Sequence, residues 1–227
     1  MAQNRDLWVF AYGSLMWRPG FPFEEVAHAR LTGWSRAFCI YSRHHRGCPR
    51  RPGLVLGLDH GGLCEGMVFR VGAAAAPATL AYLREREQII SVYREAFVPV
   101  TLLKTGHPEV TALTFLVERA HPSYAGRLPL MEQARLIRGA TGLSGGNIDY
   151  IANTLAHLKE LGIRERGLER LMALVGAHVA RSASDGHVRP AALAMMREWR
   201  KRPVRMRRHL RPEDARRFSY RAALGAR

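Results

Sequence analysis

At 227 residues, 47% hydrophobic and 24% charged, the chain is long enough to bury a sizeable core, and its composition excludes wholesale disorder, collagen and coiled coil. A net charge of +16, from 35 Lys and Arg against 19 Asp and Glu, brings nucleic acid, anionic membranes and acidic small molecules into view as partners. The cysteines Cys39, Cys48 and Cys64 form no C-x-x-C pair, which argues against a disulfide framework or structural zinc and for a reducing compartment. Polar residues 3–6 precede the first apolar run without a signal pattern, and no apolar window is long enough to span a membrane, so a cytoplasmic protein is expected.

Taken in order, residues 7–11 (LWVFA) read as a buried strand broken by Gly13 and Ser14. A second apolar run covers Gly33 to Tyr41, followed by an irregular basic loop, Ser42 to Gly53. Residues 54–58 and 63–71, separated by Asp59-His60-Gly61-Gly62, have the pattern of a hairpin with a four-residue connection. Two more strands, Phe97 to Leu103 and Val110 to Val117, flank a turn at Lys104 to Pro108. A small-residue linker, Ala73 to Ala78, leads into a helix that starts near Pro77 and runs through TLAYLREREQ.

Helical spacing then recurs at Leu128 to Gly139, Ile148 to Leu161 and Leu168 to Val179. The expected fold is α+β: a small, mostly antiparallel β-barrel with flanking helices. One compact domain is placed at residues 1–180, with a basic C-terminal extension at 181–227 that holds 14 Lys/Arg against 4 Asp/Glu. Its Trp199, Arg200, Lys201, Arg202, Arg205, Arg207 and Arg208 make an anion- or nucleic-acid-binding module the alternative reading of function.

Glu87 is the most informative polar residue. At about 100° per residue with Leu80 at 0°, Leu83 falls at about 300° and Glu87 at about 340°, while Glu85 falls at about 140°. A carboxylate on the apolar stripe is costly unless paired or protonated, and burial raises its pKa toward the range of a general base. The other reading pairs it structurally with Arg84 or Arg94. The loop Ala11, Tyr12, Gly13, Ser14, Leu15, Met16 follows a buried strand, and successive free N–H groups there suit a carboxylate; it is equally read as an ordinary turn with Trp17 as a core anchor. Gly142 to Gly146 reads either as a turn between helices or as a cap that binds an anion. His44 and His45 lack partners at zinc spacing, so no metal is expected, and the phosphate-loop, dinucleotide and hydrolase-elbow readings lack their usual motifs.

Five segments carry a collinear resemblance: W-V-F-A-Y-G-S-L-M-W (Trp8 to Trp17), H-R-G-x-P-x-x-P-G (His45 to Gly53), Y-L-R-E-R-E-Q-I-I-S-V-Y-R (Tyr82 to Arg94), H-P-S-Y (His121 to Tyr124) and S-G-G-N-I-D-Y-I (Ser144 to Ile151). Over roughly residues 7–180 the chain resembles the ChaC-type, glutathione-specific γ-glutamylcyclotransferases. The resemblance implies cleavage of glutathione to 5-oxoproline and cysteinylglycine, with Glu87 as acid and base. It also implies that residues 11–16 hold the γ-glutamyl end and that no cofactor takes part. Arg46 and Tyr93, with Asn147 and Tyr150 after them, are further candidates for contact with the substrate, their other role being structural. Ala11 departs from the family, which usually has Gly before the Tyr, and the Arg-rich extension is not explained by it. Other γ-glutamyl amines or dipeptides are the alternative substrates.

Overall fold

The computed structural model describes residues 5–87 and 91–184. Most of the basic extension, with the tail on which the nucleic-acid reading depends, lies outside the described residues. The chain divides into two compact units: one takes in residues up to Arg36 and Gly57–His121, the other Ala37–Leu56 and the described chain from Pro122 onward. No shift in composition marks this division, which cuts through two long strands.

The first unit is built on a closed barrel in the order β1-β3-β2-β4-β5. Its strands are β1 (Leu7–Ala11), β2 (Glu25–Ser42), β3 (Gly53–Val71), β4 (Tyr93–Leu102) and β5 (Glu109–Val117), of which β2 and β3 continue into the second unit. β1 pairs antiparallel with β3 (Leu7 opposite Val71, Ala11 opposite Met67), as do β2 with β4 and β4 with β5. Parallel contacts of β5 with β1 (Val9 opposite Leu113) and β3 (Leu58 opposite Leu116) close the barrel. Val9, Phe10, Phe69, Leu113 and Leu116 are fully or almost fully buried, and neighbours such as Val9 and Phe10 are buried together, so these strands are covered on both faces, as their continuous apolar runs require.

Two strand expectations are corrected. Residues 54–71 are not a hairpin but part of one 19-residue strand, β3. Gly61 and Gly62 both have positive φ (92° and 88°), so the pair bends the strand locally without ending it. The second strand starts at Glu25 instead of Gly33, because His28 and Arg30 point out while Ala29 and Leu31 are buried, an alternation built on small side chains.

The helix α1 spans Ala76–Glu87, close to the predicted range, and buries Thr79 and Leu83. The second unit contains α2 (Leu130–Gly139), α3 (Asn147–Glu160) and α4 (Arg166–Ser184), which pack on one another around Ile137, Ile151, Leu155, Leu171 and Val175. In the same unit a two-residue ladder, β6 (Thr141–Gly142) with β7 (Gly145–Gly146), leads directly into α3. No helix among the described residues is long and apolar enough to cross a membrane.

Candidate active site

Glu87 is the last residue of α1, and the i, i+4 row Thr79, Leu83, Glu87 is the row that turns inward. Its side chain is only 19% exposed, whereas Glu85 is on the exposed face. Burial pushes the Glu87 carboxyl above its usual pKa, and the positive charge of Arg86, 3.3 Å away from Nε to Oε1, pulls it partly back. Its ion pair is with Arg86, while Arg84 makes a two-pronged pair with Glu95, at 2.7 and 3.0 Å.

Arg86 is a site residue that sequence reasoning misses. Its Nη1 donates to the carbonyl oxygen of Arg18 and to the Tyr82 hydroxyl, each at 2.9 Å, and its Nη2 to Ser14 Oγ at 2.9 Å. One guanidinium thus fixes the carboxylate of Glu87 and both ends of the loop after β1. Tyr82 is held in turn by Gly20, whose φ of 75° lets the backbone pass so close that a Cβ would overlap the phenol oxygen.

The loop itself is a single 3-10 turn, Ser14–Met16, entered from Gly13. Met16 N–H donates to Gly13 O at 2.9 Å and Arg18 N–H to Ser14 O at 2.9 Å. Such a turn offers no internal acceptor to its first N–H groups, those of Gly13, Ser14 and Leu15. Leu15 and Met16 are buried and anchor the turn. Ala11, the residue that differs from the family's Gly, ends β1 as fully buried strand opposite Met67, a conformation that accepts a methyl group. Tyr93 opens β4 opposite Val117, in the same unit.

Arg46, Asn147 and Tyr150 fall in the second unit, where their polar atoms are engaged locally. Arg46 Nη1 donates to the carbonyl oxygens of Ser144 (2.5 Å) and Gly146 (3.4 Å), and its guanidinium lies 5.2 Å from the centre of the Tyr150 ring. Burial lowers the Arg46 pKa, opposed by Tyr150 and Asp149. Asn147 is fully buried and acts as a surrogate strand residue, its amide accepting from Leu54 N–H at 2.6 Å and donating to Leu54 O at 2.7 Å. The segment 142–146 is held by Leu143 N–H to His44 O (2.8 Å) and Ser144 N–H to His45 O (2.9 Å), and Asp149 occupies the first turn of α3. Among the described residues no group of three or more His, Cys, Asp or Glu is placed to hold a metal ion.

The first unit therefore joins, through Arg86, a carboxyl with raised proton affinity to the turn that carries these amide donors. Such a pair can take a proton from an ammonium group and hold an anionic oxygen.

Comparison with known proteins is consistent with the motif-level likeness. The family model described as ChaC-like protein matches residues 7–178. The chain is 33% identical over 184 residues to the glutathione-specific gamma-glutamylcyclotransferase of Escherichia coli (strain K12), covering 81% of this chain and 79% of that protein. It is 32% identical over 173 residues to glutathione-specific gamma-glutamylcyclotransferase 1 of Homo sapiens, covering 75% and 78% respectively. A crystal structure of a selenomethionine-labelled, glutathione-specific gamma-glutamyl cyclotransferase from yeast shares the fold, with a TM-score of 0.69 at 22% identity over 77% of this chain and 97% of that one.

Proposed function

Because the chain belongs to the ChaC-like protein family, we propose that it is a glutathione-specific γ-glutamylcyclotransferase that releases 5-oxoproline and cysteinylglycine. The observation that carries the reading is the inward Glu87 carboxyl, raised in pKa by burial and tied by Arg86 to the turn that bears the amide donors. The substrate's α-amine is largely protonated near neutral pH and cannot attack until it loses a proton. Glu87 takes that proton. The neutral amine then adds to the γ-amide carbonyl of the same glutamyl group, and the new C–N bond closes a five-membered ring. As the tetrahedral centre collapses, Glu87 returns the proton to the departing cysteinyl nitrogen and the original γ-amide bond breaks, while the second proton of the ring nitrogen is also lost, so that the lactam keeps one N–H and the released amine ends as its ammonium.

No water is consumed and no enzyme nucleophile is needed, since the attack is intramolecular and the site's task is to hold the curled conformer. In this reading the N–H groups of Gly13, Ser14 and Leu15 receive the γ-glutamyl end. The test is incubation of the purified chain with reduced glutathione, with 5-oxoproline and cysteinylglycine measured directly and Glu87→Gln run in parallel. Product from the native chain and a loss of about a hundredfold or more in the variant supports the reading. Equal turnover by the variant removes Glu87 from the mechanism. Turnover of γ-glutamyl amines or dipeptides in place of glutathione moves the substrate within the same chemistry.

A further inference from the structure

Arg36 lies on the inward face of β2 with Phe38 and Ile40, only 6% exposed, and the chemistry above makes no use of it. Its Nε donates to the carbonyl oxygen of Tyr12 at 2.5 Å and its Nη2 to the carbonyl oxygen of Glu65 at 2.6 Å, with Met16 Sδ 3.9 Å from Nη2. In a trans peptide the C=O and the following N–H share a plane and point in opposite directions. With the Tyr12 oxygen held on Arg36, the direction of the Gly13 N–H is fixed, and it faces away from the guanidinium. A charged donor on that oxygen also polarises the peptide, which strengthens the same N–H as a donor. The planar fork is needed because two carbonyls, from the end of β1 and from β3, are held at once, a geometry that a lysine does not reproduce.

We propose that Arg36 is a positioning residue of the substrate site: it aims and polarises the Gly13 N–H toward the α-carboxylate of the γ-glutamyl group. The proposal rests on the reading that residues 11–16 hold that group, and Gly13 supplies an independent handle on it. A Cβ added at Gly13 meets no atom within 4 Å, so the methyl of an alanine there projects into the space that a ligand resting against the turn would fill.

The test measures glutathione affinity by calorimetry in a Glu87→Gln background, and KM and kcat in the otherwise native chain, for Arg36→Lys, Arg36→Met and Gly13→Ala. For Arg36→Met a rise of about tenfold or more in KM and in the dissociation constant is expected, with kcat within about threefold, the signature of binding lost equally from ground and transition states. Arg36→Lys keeps the charge with a single donor direction and recovers part of the affinity; it decides the comparison where Arg36→Met does not fold. A purely structural role lowers kcat and the folded fraction together and leaves KM in place, which overturns the proposal. If Gly13→Ala weakens binding while folded Arg36 variants bind like the native chain, the proposal fails and the loop reading stands. If neither position affects affinity, the loop reading falls and the proposal with it.

Discussion

Arg86 and Ser14 are joined by a 2.9 Å hydrogen bond from guanidinium to hydroxyl, across 72 residues of sequence. Because the same guanidinium stands 3.3 Å from Glu87, a shift of the turn is felt at the acid, and the charge state of the acid is felt at the turn. Acid and donors are therefore one electrostatic unit, and its consequences are measurable.

Replacing Arg86 by Met leaves burial as the dominant influence on Glu87. The carboxyl pKa, already raised, rises further when the opposing charge is gone. The acid limb of the pH profile of kcat/KM, which reports the free enzyme, is expected to move to higher pH. A limb that stays in place shows either that Arg86 does not set the charge of Glu87 or that another group titrates there.

Glu87→Gln is expected to be more stable than the native chain at neutral pH. A carboxyl whose folded pKa lies above its unfolded value favours the fold while protonated, and that contribution is lost as pH rises through the folded pKa. The advantage of the glutamine therefore shrinks as pH falls to the ordinary carboxylate range and below. Urea titrations at neutral and acid pH measure the difference; a variant that is less stable at neutral pH contradicts the assignment of a destabilised acid.

Asn147→Ala removes both partners of Leu54, leaving a buried N–H and a buried C=O unsatisfied. A loss of about 3 kcal/mol is expected from two such groups, read from chemical denaturation. Asn147→Asp keeps the acceptor for Leu54 N–H but opposes its carboxylate to Leu54 O, so no recovery is expected from it.

Gly66→Ala probes the exit of β1. A Cβ there would overlap the carbonyl oxygen of Ala11, and the obstacle is backbone, which cannot swing aside as a side chain can. Destabilisation of about 1 to 3 kcal/mol is expected, with KM for glutathione rising because the displaced strand end carries the turn. An unchanged melting temperature and KM contradict that close approach.

Much of this arrangement is legible from residue patterns, and the exceptions share a cause. The runs LWVFA and Val110 to Val117 are dense in strand formers, and the three helices of the second unit follow their periodicity to within a few residues. Glu87 is legible as a charge on an apolar face. Residues Glu25 to Thr32 are not, because Ala27 and Ala29 give too little apolar contrast with His28 and Arg30 to mark a strand. Gly61-Gly62 looks like a turn because two flexible residues bend a strand and end one with the same letters. Arg86 escapes because most of its partners belong to a distant loop, two of them a backbone carbonyl and a serine hydroxyl that leave no complementary charge in the sequence. Arg36 did leave a signal, since alternation along β2 puts it in line with Phe38 and Ile40, and the logic that singles out Glu87 on a helix applies to a strand at period two.

The division of β2 and β3 between the two units orders events during synthesis. The described residues of the first unit end at His121, so the strands that pair in the barrel all emerge from the ribosome before α2 does. Residues 37–56 belong to the second unit, whose remainder comes much later: Leu54 waits 93 residues for Asn147, and Arg46 waits 98 for Ser144. During that interval the Leu54 amide and carbonyl are an open edge, able to template an off-register pairing. Nascent chains whose emerged part ends between His121 and Asn147 should therefore present all the barrel strands together with an adhesive edge, and a holdase chaperone is expected to engage in this interval.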